Sequence, residues 1–178
     1  MPVSLDTLRA QPLSLIGPAT QTLVDGGSIA ARRTAMEQAI RRSQTASYIA
    51  ATAERLGTTP KLIKGLSREE RKELDKRIAE QLKYLDGFAR DLKAGKLSMA
   101  QAQARAALYP GATRGTFYAT RYPELTTVPG GGDTPCNGNC RCFLEQKGDK
   151  VYWRLTAKES CAGCVALAAG SPYSVGGA

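Results

Sequence analysis

The sequence predicts a mainly α-helical protein, with a helical N-terminal body followed by a small C-terminal module of one β-hairpin and a short helix. Three observations predict it. Apolar residues recur every three or four positions through much of 28–125. Serine capping motifs head two of those stretches. After a Gly/Pro-rich break the pattern changes to short β-rich runs, and all five cysteines fall in that last part, within 29 residues.

The elements follow in chain order. Pro2, Pro12, Gly17 and Pro18, then Asp25-Gly26-Gly27, make 1–27 an irregular arm that orders only against a partner. A helical domain is expected over 28–125. Ser28 opens a helix that runs to about Leu56, with Ile29, Arg33, Met36, Ile40, Ser47 and Ala51 along roughly one face. That face is thin and its apolar residues are small, so the helix is expected to dock against another surface. Ser67-x-x-Glu70 is a capping box, in which each end satisfies a backbone donor of the other. The helix it opens carries Leu74, Ile78, Leu82, Leu85, Phe88 and Leu92 as one apolar stripe, and Gly95 stops it. Ser98-x-x-Gln101 starts an alanine-rich third helix. Pro110-Gly111 kinks or breaks it, the pattern resumes through Phe117 and Tyr118, and Pro123 closes it.

Residues 126–135, TTVPGGGDTP, read as a linker. The module spans 136–178. Cys142-Phe-Leu-Glu and Val151-Tyr-Trp-Arg-Leu read as two strands, with Lys147-Gly148-Asp149 as the hairpin turn. Thr156-x-x-Glu159 reads as a third capping box, opening a short helix that carries Cys161, Cys164, Leu167 and Ala168. Aromatic residues are 6% of the chain, so the core is expected to rest on Leu, Ile, Val and Ala.

The start of the chain lacks a basic segment followed by a long apolar run, and no stretch approaches the ~18 apolar residues of a membrane span. A protein kept in the cytosol, away from membranes, is expected. Thiols stay reduced there, and an odd cysteine count also argues against a disulfide framework. The net charge is +9. Residues 126–178 carry five Lys/Arg against four Asp/Glu, so the excess lies in the first 125 residues. Such a balance suits either an anionic partner or a solvated basic face. Arg32-Arg33 and Arg41-Arg42, nine residues apart on nearby helical faces, are the candidates for contact with DNA or an acidic partner. The chain has no histidine, which removes Ser-His-Asp and Cys-His catalysis and every His-ligated metal centre. No catalytic constellation stands out, and the protein is not expected to be an enzyme.

The cysteines follow C-x3-C-x-C, then eighteen residues, then C-x2-C. Two close cysteine groups joined by a hairpin are how small zinc modules are built. A tetrahedral ion needs four ligands at about 2.3 Å, and nearby pairs supply them at little cost in chain entropy. Cys161 and Cys164 share one face at a helix N-terminus, where backbone N–H groups favour thiolates. Cys140 and Cys142 share a face if extended, and Cys136 and Cys140 bracket the turn Asn137-Gly138-Asn139. Cys161 and Cys164 are the firm ligands; which two of Cys136, Cys140 and Cys142 complete the set stays open. Buried free thiols fit poorly with such clustering, and a redox dithiol fits poorly without a thioredoxin-like strand–helix unit. About one structural zinc per chain is expected, folding a module too small to have its own core.

The tract QLKYLDGFARDLKAGKLSMAQAQARAALY, the Gly-rich segment, CNGNCRCFLE, VYWRL and ESCAGCVALAAGSPY occur in one line. Together they resemble the minor head, or head morphogenesis, proteins of tailed bacteriophages, over roughly 28–175. CNGNCRC, the later C-x2-C and the terminal SPY are the specific part. The resemblance implies a virion component, assembled in the host cytoplasm and present in multiple copies. Its implied partners are the portal, the major capsid protein, other head or neck proteins, or the packaged DNA. In that family a histidine often precedes the first cysteine of the C-x2-C; Ser160 stands there here, so an all-cysteine site is required. The alternative is a zinc-bearing DNA-binding accessory protein.

Overall fold

The computed structural model describes residues 28–136, 140–156 and 160–176. The expected arm, 1–27, and the Asn137-Gly138-Asn139 turn lie outside the described residues. Five α-helices and a three-stranded antiparallel sheet are found among the described residues, in the order α1 (Ile29–Arg55), a single 3-10 turn (Pro60–Leu62), α2 (Arg68–Lys93), α3 (Met99–Ala106), α4 (Leu108–Arg121), β1 (Phe143–Lys147), β2 (Lys150–Arg154), α5 (Ala162–Ala169) and β3 (Tyr173–Ser174). No described helix is long and apolar enough to cross a membrane.

The serine caps form as expected. Ser28 Oγ accepts from the Ala31 N–H. Ser67 and Glu70 bond reciprocally at 2.8 and 3.1 Å, and Ser98 and Gln101 at 2.9 and 3.3 Å. Each pair satisfies two of the donors that a helix start leaves orphaned.

α1 and α2 form an antiparallel pair. Met36, Ala39 and Ile40 near the start of α1 pack with Leu85 and Phe88 near the end of α2, joined by Ala102, Ala106 and Tyr109. Tyr48 later in α1 meets Leu74 and Ile78 early in α2. The α2 stripe is thus inward, although Leu82 and Leu92 are only partly covered. α1 is far more buried than its apolar pattern implies, because α2 and α4 both pack on it. Its covered residues include Ser43, Gln44, Ser47, Ala51 and Thr52. Small side chains bring the helices close, and Ser43 Oγ sits 3.3 Å from Thr113 Oγ1 of α4.

The break in the third helical stretch falls at Ala107, upstream of Pro110. A proline ring clashes with the carbonyl four residues earlier, here Ala106, so the chain breaks there and Pro110 lies in the first turn of α4, where its missing N–H costs nothing.

Residues 126–135 do not stand free of the helices. Val128, Pro129 and Gly130 are buried. Gly130 lies against Gly111 and Gly115 of α4, and a Cβ on Gly115 would collide with the Gly130 carbonyl. The glycines here permit close backbone approach rather than slack.

The hairpin turns on Gly148-Asp149, with Gly148 at φ +61°, as a two-residue connection needs. Leu144 pairs with Trp153 and Gln146 with Val151, so the apolar side chains share the inner face. β3, which the sequence did not announce, adds to the other edge of β2, pairing Val151 with Tyr173. The expected capping box at Thr156 is not how the last helix begins. Thr156 Oγ1 donates to the Arg141 carbonyl at 2.7 Å, Glu159 lies outside the described residues, and α5 starts with Cys161 as its N-cap.

One core joins both parts. Ala50, Ala51, Phe117, Tyr118, Tyr122 and Val128 pack with Cys140, Cys142, Leu144, Val151, Trp153, Cys164 and Val175. The module therefore borrows a core from the helices. Seven aromatic side chains are buried, so the few aromatics of the chain carry more of the interior than its composition suggests.

Candidate metal centre

Each cysteine is placed by a different local device. Cys161 is the N-cap of α5, and its Sγ accepts from the Cys164 backbone N–H at 3.4 Å. Cys164 follows in the first helical turn and is 1% exposed. Gly163 between them lets the start of α5 lie on Pro135, whose Cδ would be 3.0 Å from a Cβ at that position. This contact brings the C-x2-C beside Cys136. Cys140 and Cys142 lead into β1 and are buried in the shared core. Thr134 Oγ1 lies 3.2 Å from Cys136 Sγ. The sequence reading missed Thr134, Pro135 and Gly163 as positioning residues; only their adjacency to the cysteines signals them.

All five sulfurs come together. Cys136 Sγ is 3.5 Å from Cys164 Sγ and 3.5 Å from Cys161 Sγ, and Cys140 Sγ is 3.7 Å from Cys164 Sγ. Two sets lie mutually within 4.8 Å: Cys136, Cys161 and Cys164, and Cys140, Cys142 and Cys164. Sulfurs at about 2.3 Å from a tetrahedral ion stand about 3.8 Å apart, so the three short separations match the edges of a metal–thiolate polyhedron. The donor set fits a thiophilic metal ion, and the cluster could hold one.

Electrostatics divides the cluster. The Cys164 N–H bonded to its sulfur brings the Cys161 thiol down to about 7, the expected effect of a helix N-terminus. Burial pushes Cys140 up to about 11 and raises Cys164 as well. Thiolates crowded in a dry site need a countercharge, which a bound cation supplies.

The arginine candidates lie on the N-terminal half of α1, whereas its C-terminal half, at Ala50 and Ala51, joins the core that holds the cysteines. Arg33 is 2.7 Å from Asp86 and 2.9 Å from Glu37, and Arg41 is 2.9 Å from Glu37. Arg42 Nε donates to the Gln38 carbonyl at 3.3 Å. Arg32 is half-buried on the same helix. Arg33 and Arg41 thus already share carboxylates of the body. A concavity of about 470 Å³ lies among α1, α2, the end of α4 and the segment after it, with Tyr48, Arg55, Arg77, Thr120 and Asp133 in its wall. Arg77 is held there by Glu73 at 2.8 Å.

No protein-family model, no curated protein and no solved structure matches the chain.

Proposed function

We propose that this protein is a structural component of a tailed-phage virion, a minor capsid or head-morphogenesis protein acting in head assembly near the portal or capsid. Its cysteine centre holds zinc as an architectural ion. The observation that carries the reading is the convergence of the cysteines of CNGNCRC with those of the later C-x2-C, both in the specific part of the resemblance, on one sulfur cluster set into the core. An ion there ties the start of α5 to the segment that leads into β1, inside the core shared with the helices, which is a folding role. Zinc is the assignment because sulfur-only donors select thiophilic ions and zinc needs no redox partner.

On this reading the chain is not an enzyme, and its partners are the portal, the major capsid protein or other head and neck proteins. Mass spectrometry of purified virions tests it: the protein should be found in multiple copies per particle, and its absence from virions would end the proposal. The second reading, a zinc-bearing DNA-binding accessory protein, draws on the net charge of +9. The pairing of Arg33 and Arg41 with Glu37 and Asp86 weighs against that reading.

A further inference from the structure

A tetrahedral ion takes four ligands, and this centre offers five sulfurs. They do not group as four about one point. The mutually close sets are two triangles, Cys136–Cys161–Cys164 and Cys140–Cys142–Cys164, which share Cys164 as a common vertex. Cys164 Sγ stands 3.5 Å from Cys136 in one triangle and 3.7 Å from Cys140 in the other.

The geometry points to a binuclear centre, in which two thiophilic ions each occupy one three-sulfur face and the Cys164 thiolate bridges them. This rests on reading the cluster as a metal centre, and it doubles the single ion that the cysteine spacing predicts.

Three arguments support it. The first is size. A triangle with edges near 3.6 Å places an ion lying about 1 Å above its plane at about 2.3 Å from each sulfur, the ordinary metal–thiolate distance. Edges of that size occur in both triangles, at Cys136–Cys164 and Cys136–Cys161 in one and at Cys140–Cys164 in the other. The second is charge. Four thiolates about one divalent ion leave two negative charges beside a fifth, unused thiol; five thiolates about two divalent ions leave one. Cys140, Cys142 and Cys164 are 1–4% exposed, where uncompensated charge is costly. The third is the place of the extra cysteine. Cys142 is not in a remote part of the core, and its sulfur lies within 4.8 Å of the same vertex as that of Cys140.

The two sites are unlike. The Cys136–Cys161 side is partly exposed and has the Thr134 hydroxyl 3.2 Å from Cys136 Sγ, so oxygen is at hand for a fourth ligand. The Cys140–Cys142 side is buried and presents sulfur alone.

The test is a titration of the full-length, reduced, metal-free chain with cadmium, followed by sulfur-to-metal absorption and native mass spectrometry. Uptake should end at two ions per chain, with two distinct cadmium NMR signals. Saturation at one ion would overturn the binuclear centre while leaving the metal-centre reading intact; no uptake would overturn both. Cys142→Ser should lower uptake from two ions to one. Retention of two ions by that variant would also overturn the assignment, since the second face keeps only Cys140 and Cys164 without that sulfur.

Discussion

Arg121 in α4 donates to Gln146 Oε1 in β1 at 2.8 Å, fastening the helical body to the sheet. The same guanidinium meets Glu54 of α1 at 3.3 Å, with both side chains less than one-fifth exposed. The polar tie and the shared apolar cluster act across the same boundary. The two parts should therefore unfold together.

Metal removal tests that coupling. If the cysteine centre holds an ion, stripping it with a chelator under reducing conditions should lower the melting temperature of the helices as well as that of the sheet, in one transition. Helical circular dichroism that melts unchanged after removal would show that the centre stabilises the module alone. The expectation follows because Cys140, Cys142 and Cys164 pack directly in the cluster that holds Phe117 and Tyr118.

The α2 stripe predicts an ordered pair of core substitutions. Leu85→Ala, at a fully buried position, should cost about 2–5 kcal/mol in denaturant unfolding. Leu82→Ala should cost clearly less, because Leu82 is only partly covered. Equal losses would mean that Leu82 is covered by another copy or a partner.

The crossing of α4 by the segment after it predicts a glycine-specific defect. Gly115→Ala sets a methyl against the Gly130 carbonyl, backbone that has no rotamer to yield. A loss of about 1–3 kcal/mol is expected, from overpacking. Gly87→Ala, whose Cβ would meet only the ends of the Arg105 and Arg90 side chains, should be neutral or slightly stabilising. Calorimetry of the two variants distinguishes them.

Acid should weaken the fold through its surface ion pairs. Hydrogen bonds from Arg105 hold the Asp91 carboxyl below its usual range, Arg41 and Arg33 do the same for Glu37, and Arg154 for Glu145. A carboxyl depressed in the folded state contributes stability above its unfolded value, and that stability is lost as pH falls through the folded one. Melting temperature should therefore fall as pH drops below about 4. The D91N variant should show a shallower fall; an identical slope would mean the Arg105 pair contributes nothing.

Salt dependence separates the two functional readings. If the basic face binds DNA, each phosphate contact adds close to one unit to the slope of log affinity against log salt. Because Arg33 and Arg41 are ion-paired, replacing both with Gln should change that slope by less than the two units a free pair would give. A loss of two full units would show that the pairs open on binding and would favour the DNA-binding reading.

The legible parts of the fold were those written in local chemistry. Ser67-x-x-Glu70 and Ser98-x-x-Gln101 place their helices to the residue, and Gly148-Asp149 places the hairpin. The clustering of Cys136, Cys140, Cys142, Cys161 and Cys164 likewise announced one centre. What stayed hidden depends on long-range contact. The burial of α1 rests on Ala, Ser and Thr, which carry no apolar signal until α2 and α4 close on them. β3 is two residues long and is a strand only because β2 offers an edge. Thr156 could cap a helix, yet Arg141 offers its hydroxyl an acceptor, and Cys161 takes the capping role instead. Sharing of Cys164 between two sulfur triangles is a matter of angles in space, which spacing along the chain does not encode.

The seating of Gly130 against Gly111 and Gly115 has a practical side. A stretch that looks like a tether is a fitted strut, so its length is set by what it spans, and an epitope or fluorescent tag inserted there would pry α4 from the sheet. The tip of the hairpin is the opposite case: a Cβ at Gly148 meets nothing within 4 Å, and the neighbouring Asp149 is 70% exposed at its side chain. A label for this protein belongs at that tip, where the added mass meets open space.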